Sequence, residues 1–251
     1  MSASILAAVS TLLLAVLRLC ALALVWLRRL RLRIQRITVD GRTAAIEDLR
    51  RCDVNRVPKH LVLCVQDTST LDVLCACVVW CLVAGIGCVT LYDPEGLLKR
   101  RKDFLAKTIL LEQEKLLGKS YPRFRIKSCD VDFDYGYTNG MVVERVMRLS
   151  LSGAQDGKES LVVALRELAK AAMQDALMSS RDLISRIVCK TGFSEPDAML
   201  VVGPVMSTAG FSPWDVRLTE IFQIPSAAEL TSRSFVDVLE DFSRCQQRFG
   251  T

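Results

Sequence analysis

Apolar and polar positions fall in short blocks along this chain, and the blocks alternate between two periods. Residues 61–65 (LVLCV), 88–92 (CVTLY) and 198–202 (AMLVV) are brief, almost wholly apolar runs rich in branched side chains. Runs of that length bounded by turn residues predict strands buried on both faces of a sheet. Between the first two, residues 70–83 (TLDVLCACVVWCLV) predict a helix buried on most sides, with Asp67, Thr68 and Ser69 at its start and Gly85 and Gly87 beyond its end. A longer helix over 95–117 carries an apolar stripe among mixed charges. A further strand is expected over 144–151, and helices over 158–173, 179–189 and 234–247, the first of these entered through the turn Asp156-Gly157-Lys158. Strands alternating with helices predict an α/β fold, a parallel sheet with helices on both faces.

Two stretches depart from this alternation. Residues 4–27 are apolar after Ser4 except for Ser10, Thr11 and Arg18, and the cluster Arg28, Arg29, Arg31, Arg33 and Arg36 follows at once, with Trp26 at the junction. About 20 apolar residues suffice for a helix across a bilayer. A cleavable leader is the rival reading, but it places its positive charge before the apolar run, not after it. The arginine side is then cytosolic, and with it the rest of the chain. Arg18 is costly at mid-bilayer, roughly 2.5–3.5 kcal/mol on insertion scales, so it snorkels or the segment lies partly on the surface. The second departure is 119–140, where Asp130, Asp132 and Asp134 alternate with Val131, Phe133 and Tyr135. A calcium loop needs its glycine one place earlier and an acid where Met141 stands, so an edge strand or polar loop is the plainer reading. The expected organisation is a membrane anchor over 1–36, a linker over 37–57 with a short helix at 44–51, and an α/β domain over 58–251.

Charge supports this division. The 251 residues sum to +5, yet the six arginines of residues 1–36 stand without a single acid, which leaves the remainder at −1. A nearly neutral body argues against nucleic acid as a partner. The hydrophobic share of 51% and mean hydropathy of +0.28 are high for a soluble domain and point to lipid or a protein partner. Ten cysteines form no CxxC pair, and several lie in apolar blocks, where a reduced thiol behaves as a small hydrophobe. His60 is the only histidine, so neither a Ser/His/Asp system nor a Cys/His zinc site has imidazoles to draw on. No P-loop, G-x-G-x-x-G or G-x-S-x-G appears. Arg248-Phe249-Gly250 is the one segment suited to a phosphate: a guanidinium offers paired donors and glycine admits backbone N–H groups. A frayed terminus is the competing explanation.

Several motifs together carry a resemblance. They are Pro58-Lys59-His60, the run VVWCLVAGIGCVTLYDPEGLLKR at 78–100, Asp156-Gly157-Lys158, GPVMSTAGFSPWDVRLTEI at 203–221, and QRFG at 247–250. In this combination and order the chain resembles the non-catalytic subunits of eukaryotic cis-prenyltransferases, the Nogo-B receptor type that pairs with dehydrodolichyl diphosphate synthase. Catalytic members of that family place D-G-N-R after the first strand, its Asp serving the Mg²⁺-bound allylic diphosphate, and an R-x-S-G-type phosphate motif after the fifth. This chain has Gln66-Asp67-Thr68-Ser69 and Val201-Val202-Gly203-Pro204 there, so Asp67 is one place late and the phosphate donors are missing.

The resemblance implies that Arg248, Phe249 and Gly250 reach across a dimer interface to the isopentenyl diphosphate in a catalytic partner's site. It places that interface at Phe211, Trp214, Arg217 and Glu220, gives this chain no metal ligand, and leaves Mg²⁺ mainly to the partner. It further implies an endoplasmic reticulum membrane location with the main domain cytosolic, isopentenyl and polyprenyl diphosphates as substrate and product, and a role in dolichol biosynthesis and protein glycosylation. A membrane-tethered receptor or scaffold built on a dead prenyltransferase fold is the alternative. A self-sufficient homodimeric synthase conflicts with Gln66 and Val202.

Overall fold

In the computed structural model the described residues are 56–66, 71–117, 125–128, 146–173 and 195–246, with Leu13, Val16, Arg18, Glu47 and Leu49 as isolated positions. The chain divides into two compact units, Met1–Ala44 and Ala45–Thr251. In the first unit Leu13, Val16 and Arg18 are helical and exposed. The rest of the apolar segment and its arginine cluster lie outside the described residues, as do Asp67, the aspartates at 130–134, the helix expected at 179–189 and Arg248-Phe249-Gly250. Among the described residues no helix is long and apolar enough to cross a membrane.

The second unit is built on a six-stranded, all-parallel sheet of order β3-β4-β2-β1-β5-β6. Its centre is β1 (His60–Val65), flanked by β2 (Cys88–Tyr92) and β5 (Ala198–Val202), and every residue of these three strands is buried. Their apolar character, interrupted only by His60 and Thr90, whose side chains meet at 2.9 Å, follows from that position, since a central parallel strand has no solvent face. Outside them lie β4 (Val146–Ser152) and the edge strands β3 (Arg125–Ser128) and β6 (Glu220–Ile224). β3 falls within 119–140, where an edge strand or polar loop is expected, and β6 has no counterpart in the pattern. RIKS carries two cations, and EIFQI sets Glu and Gln beside its apolar residues, the composition that keeps an edge from pairing indiscriminately.

One face of the sheet presents Leu61, Leu63, Val65, Val89, Leu91, Leu200 and Val202 to the larger core, which three helices complete. These are α1 (Leu71–Ala84), α3 (Lys102–Leu117) and α5 (Ser232–Arg244). Helix α1 packs on both others, so eight of its residues are buried and no polar face remains. The Trp80 and Phe235 rings meet 6.1 Å apart between α1 and α5. Leu49 also joins this core. Helix α5 begins two residues before the Ser234 expected from sequence because Thr231 is its cap. Thr231 Oγ1 accepts from Ser234 N at 3.2 Å, and Ser234 Oγ accepts from Thr231 N at 2.9 Å. The single helix expected over 95–117 is a short α2 (Leu97–Arg100) and α3, jointed at Arg101. Asp93 and Gly96, in the left-handed region at φ 66°, set the start of α2.

The opposite face is smaller. Val62, Cys64, Tyr92, Met199 and Val201 make a second apolar cluster there, sealed by Phe211 from the loop after β5. After β4, a 3₁₀ turn at Ala154–Asp156 leads into α4 (Lys158–Met173).

Candidate functional site

Open parallel sheets bind ligands beyond the carboxyl ends of their strands, where the strand order reverses. Here β1 has β2 on one side and β5 on the other, so the reversal lies between β1 and β5. Gln66 leaves β1 at that point and Gly203 leaves β5. The Gln66 side chain lies across the gap: its Nε2 donates to the Val205 carbonyl at 2.6 Å, and its Oε1 accepts from Val205 N at 3.3 Å. A Cβ on residue 203 would stand 2.3 Å from Gln66 Oε1 and 2.7 Å from its Cβ and Cδ, so glycine is the residue that lets the glutamine lie there. An amide with both ends engaged at this point supplies neither a carboxylate for a metal nor a cation for a diphosphate.

The loops beside the crevice are similarly committed. Asp93, buried after β2, receives the backbone N–H groups of Glu95, Leu97 and Leu98, which makes it the cap of α2. Asp156 pairs with Lys99 at 2.6 Å and accepts from Gly153 N. Among the described residues no three His, Cys, Asp or Glu side chains converge on one point. Ala209 and Gly210 both take the left-handed conformation, at φ 50° and 85°. That turn delivers the Ala209 carbonyl to the Tyr92 hydroxyl at 2.9 Å and the Gly210 carbonyl to Lys158 N at 2.9 Å. Phe211 then stands edge-on to Tyr92, ring centroids 5.1 Å apart. Burial pushes the Tyr92 phenol and the Cys64 thiol each up to about 12, so neither ionises at neutral pH and neither is a ready nucleophile.

The sequence-derived interface residues separate into two groups. Phe211 points inward and is a core residue of this chain. The half-buried Trp214 and the exposed Arg217 form a pair, the guanidinium 5.2 Å from the indole centroid, and Arg217 also pairs with Glu195. Glu220 opens the edge strand β6, half-buried. Leu218, two residues before β6, exposes 48% of its surface, while Val205 and Met206, beyond the carboxyl end of β5, expose 60% and 61%. The Gln66–Gly203 contact was visible in sequence only as two departures from a motif.

No family model matches the chain. Curated proteins do, among them two from mammals. Mouse (Mus musculus) dehydrodolichyl diphosphate synthase complex subunit Nus1 is 32% identical over 211 residues, which cover 80% of this chain and 69% of that protein. Its human (Homo sapiens) counterpart NUS1 is 31% identical over 208 residues, 78% of this chain and 68% of that one. Among solved structures, lavandulyl diphosphate synthase from Lavandula x intermedia superposes with a TM-score of 0.52 at 16% identity, over 78% of this chain and 99% of the other, and establishes the fold alone. The sheet, the order of its helices and the similarity to both mammalian proteins lead to one assignment: the chain belongs to the family of NUS1-type subunits of dehydrodolichyl diphosphate synthase complexes and has a cis-prenyltransferase-like fold.

Proposed function

We propose that this chain is the non-catalytic subunit of a heteromeric cis-prenyltransferase. Its complex condenses isopentenyl diphosphate onto a growing polyprenyl diphosphate for dolichol synthesis and protein glycosylation. The observation that carries the reading is Gln66 itself: held at both ends by Val205, it stands where a prenyl-transferring subunit would receive a diphosphate. A chain with an amide at that point contributes to the reaction from elsewhere, and Arg248-Phe249-Gly250 is the segment suited to do so. In the partner's site the Arg248 guanidinium binds diphosphate oxygens and Gly250 lets backbone N–H groups approach them.

Arg56, four residues ahead of β1, donates to the Cys245 carbonyl at 3.4 Å and covers the Phe242 ring at 4.6 Å, so α5 ends against the segment that leads into β1, and Arg248 follows three residues beyond Cys245. Mg²⁺ in this proposal belongs to the catalytic partner. The partner docks on the edge formed by Trp214, Arg217, Leu218 and Glu220, and the apolar segment over 4–27 anchors the complex in the endoplasmic reticulum membrane with the α/β unit in the cytosol.

Reconstitution tests the proposal. The chain co-purified with a dehydrodolichyl diphosphate synthase catalytic subunit should support isopentenyl diphosphate incorporation, while this chain alone supports none. Incorporation by the purified chain alone would overturn the non-catalytic reading. A catalytic subunit whose activity is indifferent to this chain would point to a scaffold.

A further inference from the structure

The surface charge of the α/β unit is not evenly spread, and its basic part coincides with exposed apolar side chains. Between residues 99 and 107 stand Lys99, Arg100, Arg101, Lys102 and Lys107 against one carboxylate, Asp103. Residues 37–251 sum to −1, so these nine positions carry +4 and everything else carries −5. Lys99 is taken up by Asp156. Arg100 donates to the Glu95 carbonyl but keeps its charge, and among the described residues no ion pair neutralises Arg100, Arg101, Lys102 or Lys107. Amid these cations Phe104 exposes 57% of its surface and, two helical turns on, Leu111 exposes 56%. Residues 104, 107 and 111 recur on one side of α3, and Leu105, Thr108 and Ile109 on the other are buried in the core.

We infer that this surface, from Arg100 at the end of α2 along α3 to Leu111, is a contact for an anionic lipid surface. A peripheral membrane helix combines apolar side chains that enter the acyl boundary with lysines and arginines at headgroup level, and both are present here in register. Each basic residue near an anionic leaflet adds attraction that decays within a Debye length. Acidic lipid complements the +4, and the −5 over the rest of the unit gives the approach a preferred direction. The inference rests on the anchor proposed above only for proximity. With a membrane segment in the same chain the contact becomes intramolecular in effect, so a weak patch suffices. Docked this way, α3 would orient the α/β unit on the bilayer into which an apolar polyprenyl product must pass.

The test uses the full chain with Phe104→Trp and vesicles of either neutral phosphatidylcholine or phosphatidylcholine rich in phosphatidylserine, with brominated acyl chains as quenchers. Wild-type emission is subtracted to isolate residue 104. Expected is a blue-shifted, quenched signal on the anionic vesicles, at least severalfold weaker on the neutral ones, and abolished by Arg101→Glu/Lys102→Glu/Lys107→Glu or by high salt. Co-flotation with neutral vesicles reports the anchor separately, so loss of the anchor and loss of the α3 contact are told apart. A residue 104 signal that stays water-exposed on both vesicles overturns the inference. Equal quenching on both would show apolar insertion without charge and also overturn it. Protection appearing only when the catalytic subunit is added would assign the face to protein instead.

Discussion

Alanine at Gly157 should damage the unit far more than its one added methyl group suggests. A Cβ there would stand 2.3 Å from the Gly210 carbonyl oxygen and 3.3 Å from Phe211 Cα. Both obstacles are backbone, so no side-chain rotation relieves them, and the loop must retreat by about 1 Å to regain van der Waals distance. That movement lengthens the 2.9 Å bond from Lys158 N to Gly210 O and pulls Phe211 from its edge-on contact with Tyr92. Overpacking of this kind costs about 1–3 kcal/mol and a lost hydrogen bond about 0.5–1.5, so a total of about 2–4 kcal/mol is expected. For a chain of this size that is a fall in Tm of roughly 5–15 °C. Gly87 is the internal control: a Cβ there meets only the Lys59 carbonyl at 3.7 Å, and alanine should be neutral or stabilise by up to about 1 kcal/mol through the unfolded chain. Thermal unfolding of the two variants beside wild type decides the matter. A Gly157→Ala protein that melts with wild type, or one no worse than Gly87→Ala, would refute the close-approach argument.

Three further outcomes are expected. Phe235→Ala, which empties a fully buried site against Trp80, should cost about 3–5 kcal/mol by denaturant unfolding, whereas Phe104→Ala on the exposed side of α3 should stay within about 0.5 kcal/mol. Arg217→Glu breaks a half-exposed pair with Glu195 and a cation–π contact, so the fold should lose at most about 1 kcal/mol while affinity for the catalytic subunit in a pull-down titration drops about tenfold or more. Burial raises Cys64 and Cys75 from 9.0 to about 12, and Tyr92 from 10.0 to about 12. All three are neutral when folded and ionise more readily when unfolded, so their contribution is complete below pH 9 and is lost as pH rises from 9 towards 12. Urea midpoints should decline across that window, and native Cys64 and Cys75 should resist alkylation near neutral pH; a flat midpoint or ready labelling would contradict it.

What the sequence made legible follows from burial. The strands β1, β2 and β5 are central, so LVLCV, CVTLY and AMLVV had to be almost wholly apolar and stood out as such. Helix α1 is enclosed by α3 and α5, and its lack of a polar face announced that. The edge strand β6 escaped because EIFQI answers to solvent and to the avoidance of stray pairing as well as to the sheet. The site was legible only as composition. Gln66 and Gly203 read as substitutions in two motifs, but their contact joins residues 137 apart in sequence and no local pattern encodes it. The same is true of Gly157 against Gly210. Phe211, which the resemblance places at an interface, is turned in to Tyr92 by the left-handed turn at Ala209 and Gly210, a turn between residues far from Tyr92 in sequence that no local pattern encodes.

The central claim is that this chain assists catalysis with a residue of its own in a site belonging to its partner. The direct test is isopentenyl diphosphate incorporation by the co-expressed complex carrying Arg248→Ala, with complex recovery measured on the same preparation. Loss of one or two charge-assisted hydrogen bonds to a diphosphate at the transition state should lower turnover by about 10²–10³-fold while the two subunits still co-purify in wild-type proportion. Wild-type turnover from an intact Arg248→Ala complex would contradict the account.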